Sequence, residues 1–519
     1  MGWIDSASCP AHYRRVPESL RVVVFVAILG LTACSTESAL VGLPPLLRVP
    51  LTIEQRVVPA HPVGPELGNP ALPENLPLYL ERGYGEMNVI PGDQSYVPLT
   101  VDGTVPPELG PRARQLLRFA AVGDFQIGDD ESPTRVGLLD GNGLTSAALR
   151  PQDPYLCALA NATVRTLNAL HRMQAIGLTF VGGDVLDSAQ QNEMDWALGI
   201  LTGGAPVECD SGADDDLVPG PGNDPKDPFQ PEGLLMPWRW VPGNHDMLIQ
   251  GNLLADASRV EVATGDFASL GTRDYGQGGR VISGRVVADL RRRPLTPTEM
   301  MHKVATHGDG HGLSLTQSET GHASYSLDIE GTNIRFLVAD TVSKTGGSGG
   351  VLRWQDVNAY LRPQFESAQR EGKWVFVLSD HPHDDLGQAN TPLGRPVSDP
   401  VSQSDWVELL GSYPNVLFSL ARRTSHGQSV MKSVGSRPYW AVFNAAQSEF
   451  PHQIRLFEVW DADNGFVMLR ISTVDVSVAG DPVAAEGRRR AVIDSTSTWA
   501  GSGSSSPDER NVDLWIRKP

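Results

Sequence analysis

The sequence predicts an α/β fold with its functional residues at the carboxyl ends of strands, and two observations carry this. First, three apolar runs end in glycine and an oxygen-bearing side chain. Leu117-Arg118-Phe119-Ala120-Ala121-Val122 runs into Gly123-Asp124-Phe125-Gln126, and Leu178-Thr179-Phe180-Val181 runs into Gly182-Gly183-Asp184. Trp238-Arg239-Trp240 runs into Val241-Pro242-Gly243-Asn244-His245-Asp246. Asp124, Asp184 and Asn244 are separated by two intervals of 60 residues, each long enough for a crossover helix and a return strand. Second, residues 155 to 176 carry apolar side chains at helical intervals (Leu156, Leu159, Val164, Leu167, Leu170, Ile176), with Gly177 as a stop, so the section reads strand, loop, helix, strand.

The remaining elements follow in order. Residues 192 to 201 predict a second helix. Residues 209 to 233 hold Asp210, Asp214, Asp215, Asp216, Asp224 and Asp227 among Pro and Gly without the order of a calcium loop, which reads as a solvated, mobile insertion. Residues 251 to 315 form another insertion with two helical fragments and the turn His307-Gly308-Asp309-Gly310-His311-Gly312, suited to a cap over the site. His322 to Ile329 alternates like a strand, and 334 to 340 completes a hairpin. Gly346-Gly347-Ser348-Gly349-Gly350 matches Gly-x-Ser-x-Gly, but no buried strand runs into it, so it reads as a flexible loop. A helix over 354 to 370 and buried strands over 374 to 378 and 415 to 420 follow. Closing strands are expected within 439 to 460 and 466 to 476.

Individually these turns are ordinary: an Asx side chain bonds its own backbone, and an Asp after a strand caps a helix. Together, their order, spacing and strand context resemble the calcineurin-like metallophosphoesterase family. Its Asp-x-His or Gln is matched by Asp124 and Gln126, its Gly-Asp-x-x-Asp by Gly183-Asp184 with Asp187, and its Gly-Asn-His-Asp by residues 243 to 246. The resemblance implies a four-layer α/β/β/α sandwich of two mixed sheets over residues 114–478, with insertions at about 203–233 and 251–315. It also implies a phosphate-ester substrate and metal-dependent hydrolysis of a phosphomonoester or phosphodiester.

Hydrolysing a phosphate ester needs a strong nucleophile at neutral pH and neutralisation of charge on the phosphoryl oxygens; two divalent ions about 4 Å apart supply both. The family pattern makes Asp184 the bridging ligand, Asp124 and Gln126 ligands of one metal and Asn244 of the other. His245, held by Asp246, is the candidate acid for the leaving alkoxide. An amide oxygen at Gln126 in place of an imidazole tilts the site toward Mn or Fe, with Zn and Mg as alternatives. The second half departs from the family. Asp380 or His381 falls where a histidine ligand stands, and Ala421 to His426 retains one imidazole where two are expected. An ungapped match places Arg423 and Ser425 there, whereas a one-residue slip, which keeps His426 as a ligand, places Thr424 and His426. Arg423 would replace part of the missing metal charge and repel a metal. The expectation is a metal-dependent phosphoric ester hydrolase; the alternative is a catalytically inactive binding or scaffold lipoprotein of the same fold.

Composition bounds the partners. The 519 residues are 40% hydrophobic and 20% charged, ordinary for a globular chain, with a formal net charge of −19 that argues against nucleic acid as the main partner. Arg14, Arg15 and Arg21 precede an apolar core over 22–31, too short to span a bilayer, and Leu31-Thr32-Ala33-Cys34 follows. This resembles a bacterial lipoprotein signal over 1–33 that leaves Cys34 acylated, exporting the chain to a lipid anchor on a cell membrane or outer membrane. An ordinary secretory signal with an incidental Cys34 is the plainer alternative. Residues 34–113 recur in proline (Pro44, Pro45, Pro59, Pro62, Pro70, Pro73) and read as a tether or a strip packed along the domain. Residues 479–519 read as a loosely held tail. An exported chain permits a Cys157–Cys209 disulfide, and two idle thiols are the equal alternative.

Overall fold

Two mixed sheets with helices carry the fold, and their order explains why the three ligand-bearing turns share an edge. The computed structural model describes residues 40, 42–64, 67–141, 145, 147–212, 215–387, 393–422, 430–432, 435–499 and 506–519. The seven-stranded sheet runs Val97–Thr100, Val512–Arg517, Phe466–Asp475, Gln453–Asp461, Arg114–Val122, Leu178–Gly182, Trp238–Val241. Its last three strands are parallel neighbours, so their carboxyl ends, and with them Asp124, Asp184 and Asn244, lie at one edge. The six-stranded sheet runs Val430–Lys432, Trp440–Asn444, Val416–Arg422, Trp374–Ser379, Ile334–Ala339, Tyr325–Asp328. Its four central strands are parallel and its outer strands antiparallel, including the expected hairpin of Tyr325–Asp328 with Ile334–Ala339.

The strand sequences explain the packing. In Ile334–Ala339 and Trp374–Ser379 every residue is buried and, Arg335 and Ser379 apart, the side chains that point to opposite faces are apolar, so both faces are buried. Phe336, Val338, Trp374 and Phe376 join a core with Phe119, Phe180 and Phe457 of the other sheet. There Phe119 meets Phe336 edge-on with ring centres 5.1 Å apart, and Phe418 meets Phe457 at 5.7 Å. Leu337, Val375 and Val377 face the other way, onto Phe365 and Ala368 of the helix Arg362–Arg370 and Trp406, Leu409 and Leu410 of the helix Gln403–Ser412. The helix expected between the first two strands is Leu156–Met173, buried on nearly all sides, and the next is Gln191–Thr202.

Two segments depart from the sequence reading, and the proline-rich stretch takes one of its two alternatives. The C-terminal segment, expected to be loosely held, supplies the buried helix Pro482–Thr496 and the interior strand Val512–Arg517. Its charged run misleads because Arg488 is buried and donates to the Val476 carbonyl, while Arg490 pairs with Glu486. The proline-rich stretch packs as a strip and not as a free tether. Gln55–Pro59 pairs with Met87–Pro91, Val97–Thr100 joins the seven-stranded sheet, and buried Thr52 donates to the Thr473 carbonyl at 2.9 Å. The acidic insertion is anchored and not simply solvated. A Cys157–Cys209 disulfide ties one end, and the buried Lys226 ammonium sits 3.0 Å from Asp130 and 2.9 Å from Glu131. The second insertion adds a hairpin, Phe267–Asp274 with Arg280–Arg285, to its helices; its strands lack the apolar alternation by which sequence reading finds strands. Among the described residues, no helix is long and apolar enough to cross a membrane. The signal segment and Cys34 lie outside them.

Removing residues 506–519 takes an interior strand out of the sheet, so the truncated chain is expected to lose its cooperative unfolding transition in circular dichroism; a tail held loosely would leave it intact. Closing a loop across a sequence separation of 52 stabilises by roughly 2–4 kcal/mol. The Cys157→Ala/Cys209→Ala protein is therefore expected to be less stable by that amount in urea unfolding, with a lower midpoint than the oxidised parent.

Candidate functional site

The candidate site is built from five strand ends, three from one sheet and two from the other. At the end of Arg114–Val122 the chain turns through Asp124 (φ +56°) and Gln126 (φ +47°), and at the end of Leu178–Gly182 through Asp184 (φ +54°). Left-handed backbone is uncommon outside glycine, although Asp tolerates it, and each such residue costs about 1–3 kcal/mol unless its surroundings hold it. Here the turns hold one another: Asp124 N–H donates to the Gly183 carbonyl at 2.6 Å, and Gln126 N–H to the Asp184 carbonyl at 3.1 Å. Trp238–Val241 leads through Gly243 into the short turn Asn244–Met247. From the six-stranded sheet, Trp374–Ser379 delivers Asp380, and Val416–Arg422 delivers Arg422 as its last residue.

These ends converge on the Arg422 guanidinium. Its Nε donates to Asp380 Oδ1 at 2.6 Å, Nη1 to Asp124 Oδ2 at 3.3 Å and Nη2 to Asn244 Oδ1 at 3.3 Å. Nη2 also lies 2.8 Å from Asp184 Oδ2. That last contact is close but not aligned as a hydrogen bond. Arg422 is buried, as are Asp124, Asp184, Asn244 and Asp380. Burial opposes the charge on Arg422, but Asp184, Asp380 and Asp124 outweigh it and hold the group protonated, well above its usual range. Three carboxylates share this one cation. The shortfall falls on Asp184: burial first, then Asp380 and Asp124, push its carboxyl well above the usual range despite Arg422. Asp380 moves the other way, because Arg422 and His381 outweigh its burial.

A cation is therefore present among these side chains at Arg422, a residue to which the sequence reading gave no role. Arg423 and His426, with Thr424 and Ser425, lie outside the described residues. Asp124, Asp184, Asn244 and Asp380 are brought together as predicted. Gln126 is not added to them by its side chain, whose carbonyl oxygen accepts from Arg150 at 2.7 Å. His381 is also committed elsewhere. Its Nε2 lies 2.9 Å from the Ser348 carbonyl, which makes that nitrogen the donor, and its Nδ1 lies 2.9 Å from the Thr341 hydroxyl.

His245 stands at the rim, its side chain about 21% exposed. Its backbone N–H donates to Asp184 Oδ1 at 2.8 Å, and its Nδ1 lies 2.7 Å from the Asp187 carbonyl. A carbonyl only accepts, so the neutral ring carries its proton on Nδ1 and keeps Nε2 as the acceptor. The orienting residue is Asp187 and not Asp246. The Asp246 carboxylate turns back along its own turn and accepts the Gly243 and Leu186 N–H groups, both at 2.9 Å. Burial and the neighbouring Asp184 push that carboxyl up to about 8. Sequence reading gave no role to Gly251 (φ +63°): a Cβ there would come within 2.5 Å of both the Asn244 amide and the His245 ring. Nor did it find Arg135, which pairs with Asp187 at 3.0 Å.

The residues do not fit a two-metal centre. A ligand oxygen must present lone pairs to the ion, yet the guanidinium lies within reach of an oxygen on each of the four converging side chains. Asp124 Oδ1 and Asp380 Oδ2 are buried without a hydrogen-bond donor, but Asp380 Oδ2 lies 3.2 Å from His381 Nδ1. The adjoining cavity, lined in part by Gly123, Gly182, Ser379, Arg422 and Asn444, has a volume of about 20 Å³. That is room for about one water molecule and not for a phosphate ester. Acidic side chains also gather in the insertion, Glu131 with Asp210 and Asp215, and Asp216 with Asp224 and Asp227. Groupings of this kind occur commonly without an ion.

No protein-family model matches the chain, and no curated protein does. Among solved structures, a chain described as GAP50, the anchor in the inner membrane complex of Plasmodium, matches over 73% of this chain and 95% of its own. The sequence identity is 10% and the TM-score 0.28, an overlap too loose to carry an argument about fold or function.

The two histidines of the glycine-rich turn bond each other, His307 Nδ1 to His311 Nε2 at 3.0 Å, and the His311 ring stacks on Trp238 with centres 3.5 Å apart. Burial, aided by His307 and opposed by Asp309, pushes His311 down to about 4 from an ordinary 6.5. The unfolded chain therefore binds the proton first. The stability due to this ring is complete above pH 6.5 and is lost as pH falls through about 4. His311 has φ +49°, so asparagine is the replacement that suits its backbone. Melting temperatures between pH 7 and 4 are expected to fall more steeply for the parent than for His311→Asn.

Proposed function

We propose that the chain is an exported, lipid-anchored protein of the calcineurin-like metallophosphoesterase architecture, two mixed sheets face to face with helices outside, that serves as a catalytically silent binding or scaffold protein. One observation carries the silence: the Arg422 guanidinium lies among Asp124, Asp184, Asp380 and Asn244, the side chains that a metal pair would need. A guanidinium neutralises carboxylates, but it has no vacant coordination position and does not acidify water as a divalent ion does. Support for the architecture comes from the ring contacts between the two sheets and from the parallel strands that end at one edge. The export and the anchor at Cys34 rest on the signal pattern in residues 1–33.

The hydrolytic reading has one observation in its favour. His245 is held with Nε2 as its acceptor nitrogen at a partly exposed rim, a state from which a ring takes up and delivers a proton. In that reading Arg422 would have to leave its carboxylates before the chain turned over a phosphate ester.

The purified protein, incubated with Mn and desalted, is expected to retain less than one equivalent of metal per chain. It is also expected to leave nitrophenyl phosphate and bis-nitrophenyl phosphate intact. Turnover of either substrate that disappears in His245→Ala would overturn the silent reading and establish the hydrolase.

A further inference from the structure

We infer that Arg422 is a resident counter-ion that joins the two sheets in place of bound metal, and that removing it uncovers a divalent-cation site. The inference rests on the silent reading above and deepens it by assigning the residue that replaced the ions and the ligand class the vacated position would take.

The connectivity carries the argument. Arg422 belongs to the six-stranded sheet, as does Asp380, whose carbonyl accepts the Arg422 N–H at 3.0 Å. Asp124, Asp184 and Asn244 belong to turns of the seven-stranded sheet. The planar fork therefore contacts three strand ends of one sheet while anchored beside a carboxylate of the other. A fork of fixed donors suits several carboxylates at once better than an ammonium does. Buried carboxylates left without a cation are strongly destabilising, and three of them point at this position. What would remain after truncation of Arg422 is an all-oxygen set from Asp124, Asp184, Asp380 and Asn244, a donor chemistry suited to Mg and Mn. Three of its oxygens, Asp124 Oδ1, Asp184 Oδ2 and Asp380 Oδ2, already lack a hydrogen-bond donor.

The test uses full-length Arg422→Ala and Arg422→Gln beside the parent, melted in EDTA and in Mn, with metal binding followed by calorimetry. The parent is expected to melt at the same temperature in both media. Each variant is expected to melt lower in EDTA, by about 5 °C or more, to bind one Mn per chain, and to recover at least half of the loss on doing so. Adding Asp184→Asn to Arg422→Gln removes one of the stranded carboxylates and is expected to raise the melting temperature in EDTA. Variants as stable as the parent in EDTA would overturn the joining role, and destabilised variants that bind no Mn would overturn the latent site. Should Arg422→Ala fail to fold in either medium, the Arg422→Gln melts decide by the same criteria. Metal uptake and turnover by the parent would instead defeat the silent reading, a result separable from the variants' behaviour.

Discussion

A single buried cation governs the arrangement of this site. Carboxylates approach one another only where something offsets their charge. Here Arg422 permits Asp124, Asp184 and Asp380 to meet between strands of two different sheets. The left-handed turns at Asp124 and Asp184 follow from the same demand, since each carries a strand end abruptly toward the shared centre. Excess negative charge is absorbed locally, by the raised carboxyl of Asp184 and by the pairing of Asp187 with Arg135.

Around that centre, backbone groups do much of the positioning. Asp246 holds the Gly243 turn against the 184 turn through two N–H groups, and the Asp187 carbonyl fixes the His245 ring. Gly251 lets a loop pass close over Asn244, whose side-chain amide donates to the Gly251 carbonyl at 3.0 Å. An imidazole is thus oriented without a carboxylate dedicated to it, and the carboxylate next to it in sequence serves the turn instead.

Much of the fold could be read from the sequence because its signals are local. Strand ends announced by glycine and an acid, the helix Leu156–Met173 and the strands of the six-stranded sheet all show in a window of a few residues. The site was legible to the same extent: Asp124, Asp184, Asn244 and Asp380 meet as their strand ends required. What failed depended on contacts distant in sequence or on register. Arg422 went unassigned because which side chains of a strand meet a site depends on its register, and one residue of shift reverses the face. Gln126 was diverted by Arg150 and His381 by Ser348, partners that no local pattern ties to them. The C-terminal segment misled because charge marks exposed chain on average, whereas Arg488 is buried by a specific partner.

The position of Val512–Arg517 bears on how such a chain can be assembled. This strand follows the others in sequence, yet it lies between Phe466–Asp475 and Val97–Thr100, so the early strand Val97–Thr100 gains its neighbour in the sheet only after the other strands have been made. Completing the larger sheet must therefore wait until Val512–Arg517 has been made. Until then the sheet keeps an unfinished edge, and unpaired strand edges need protection against pairing with other chains.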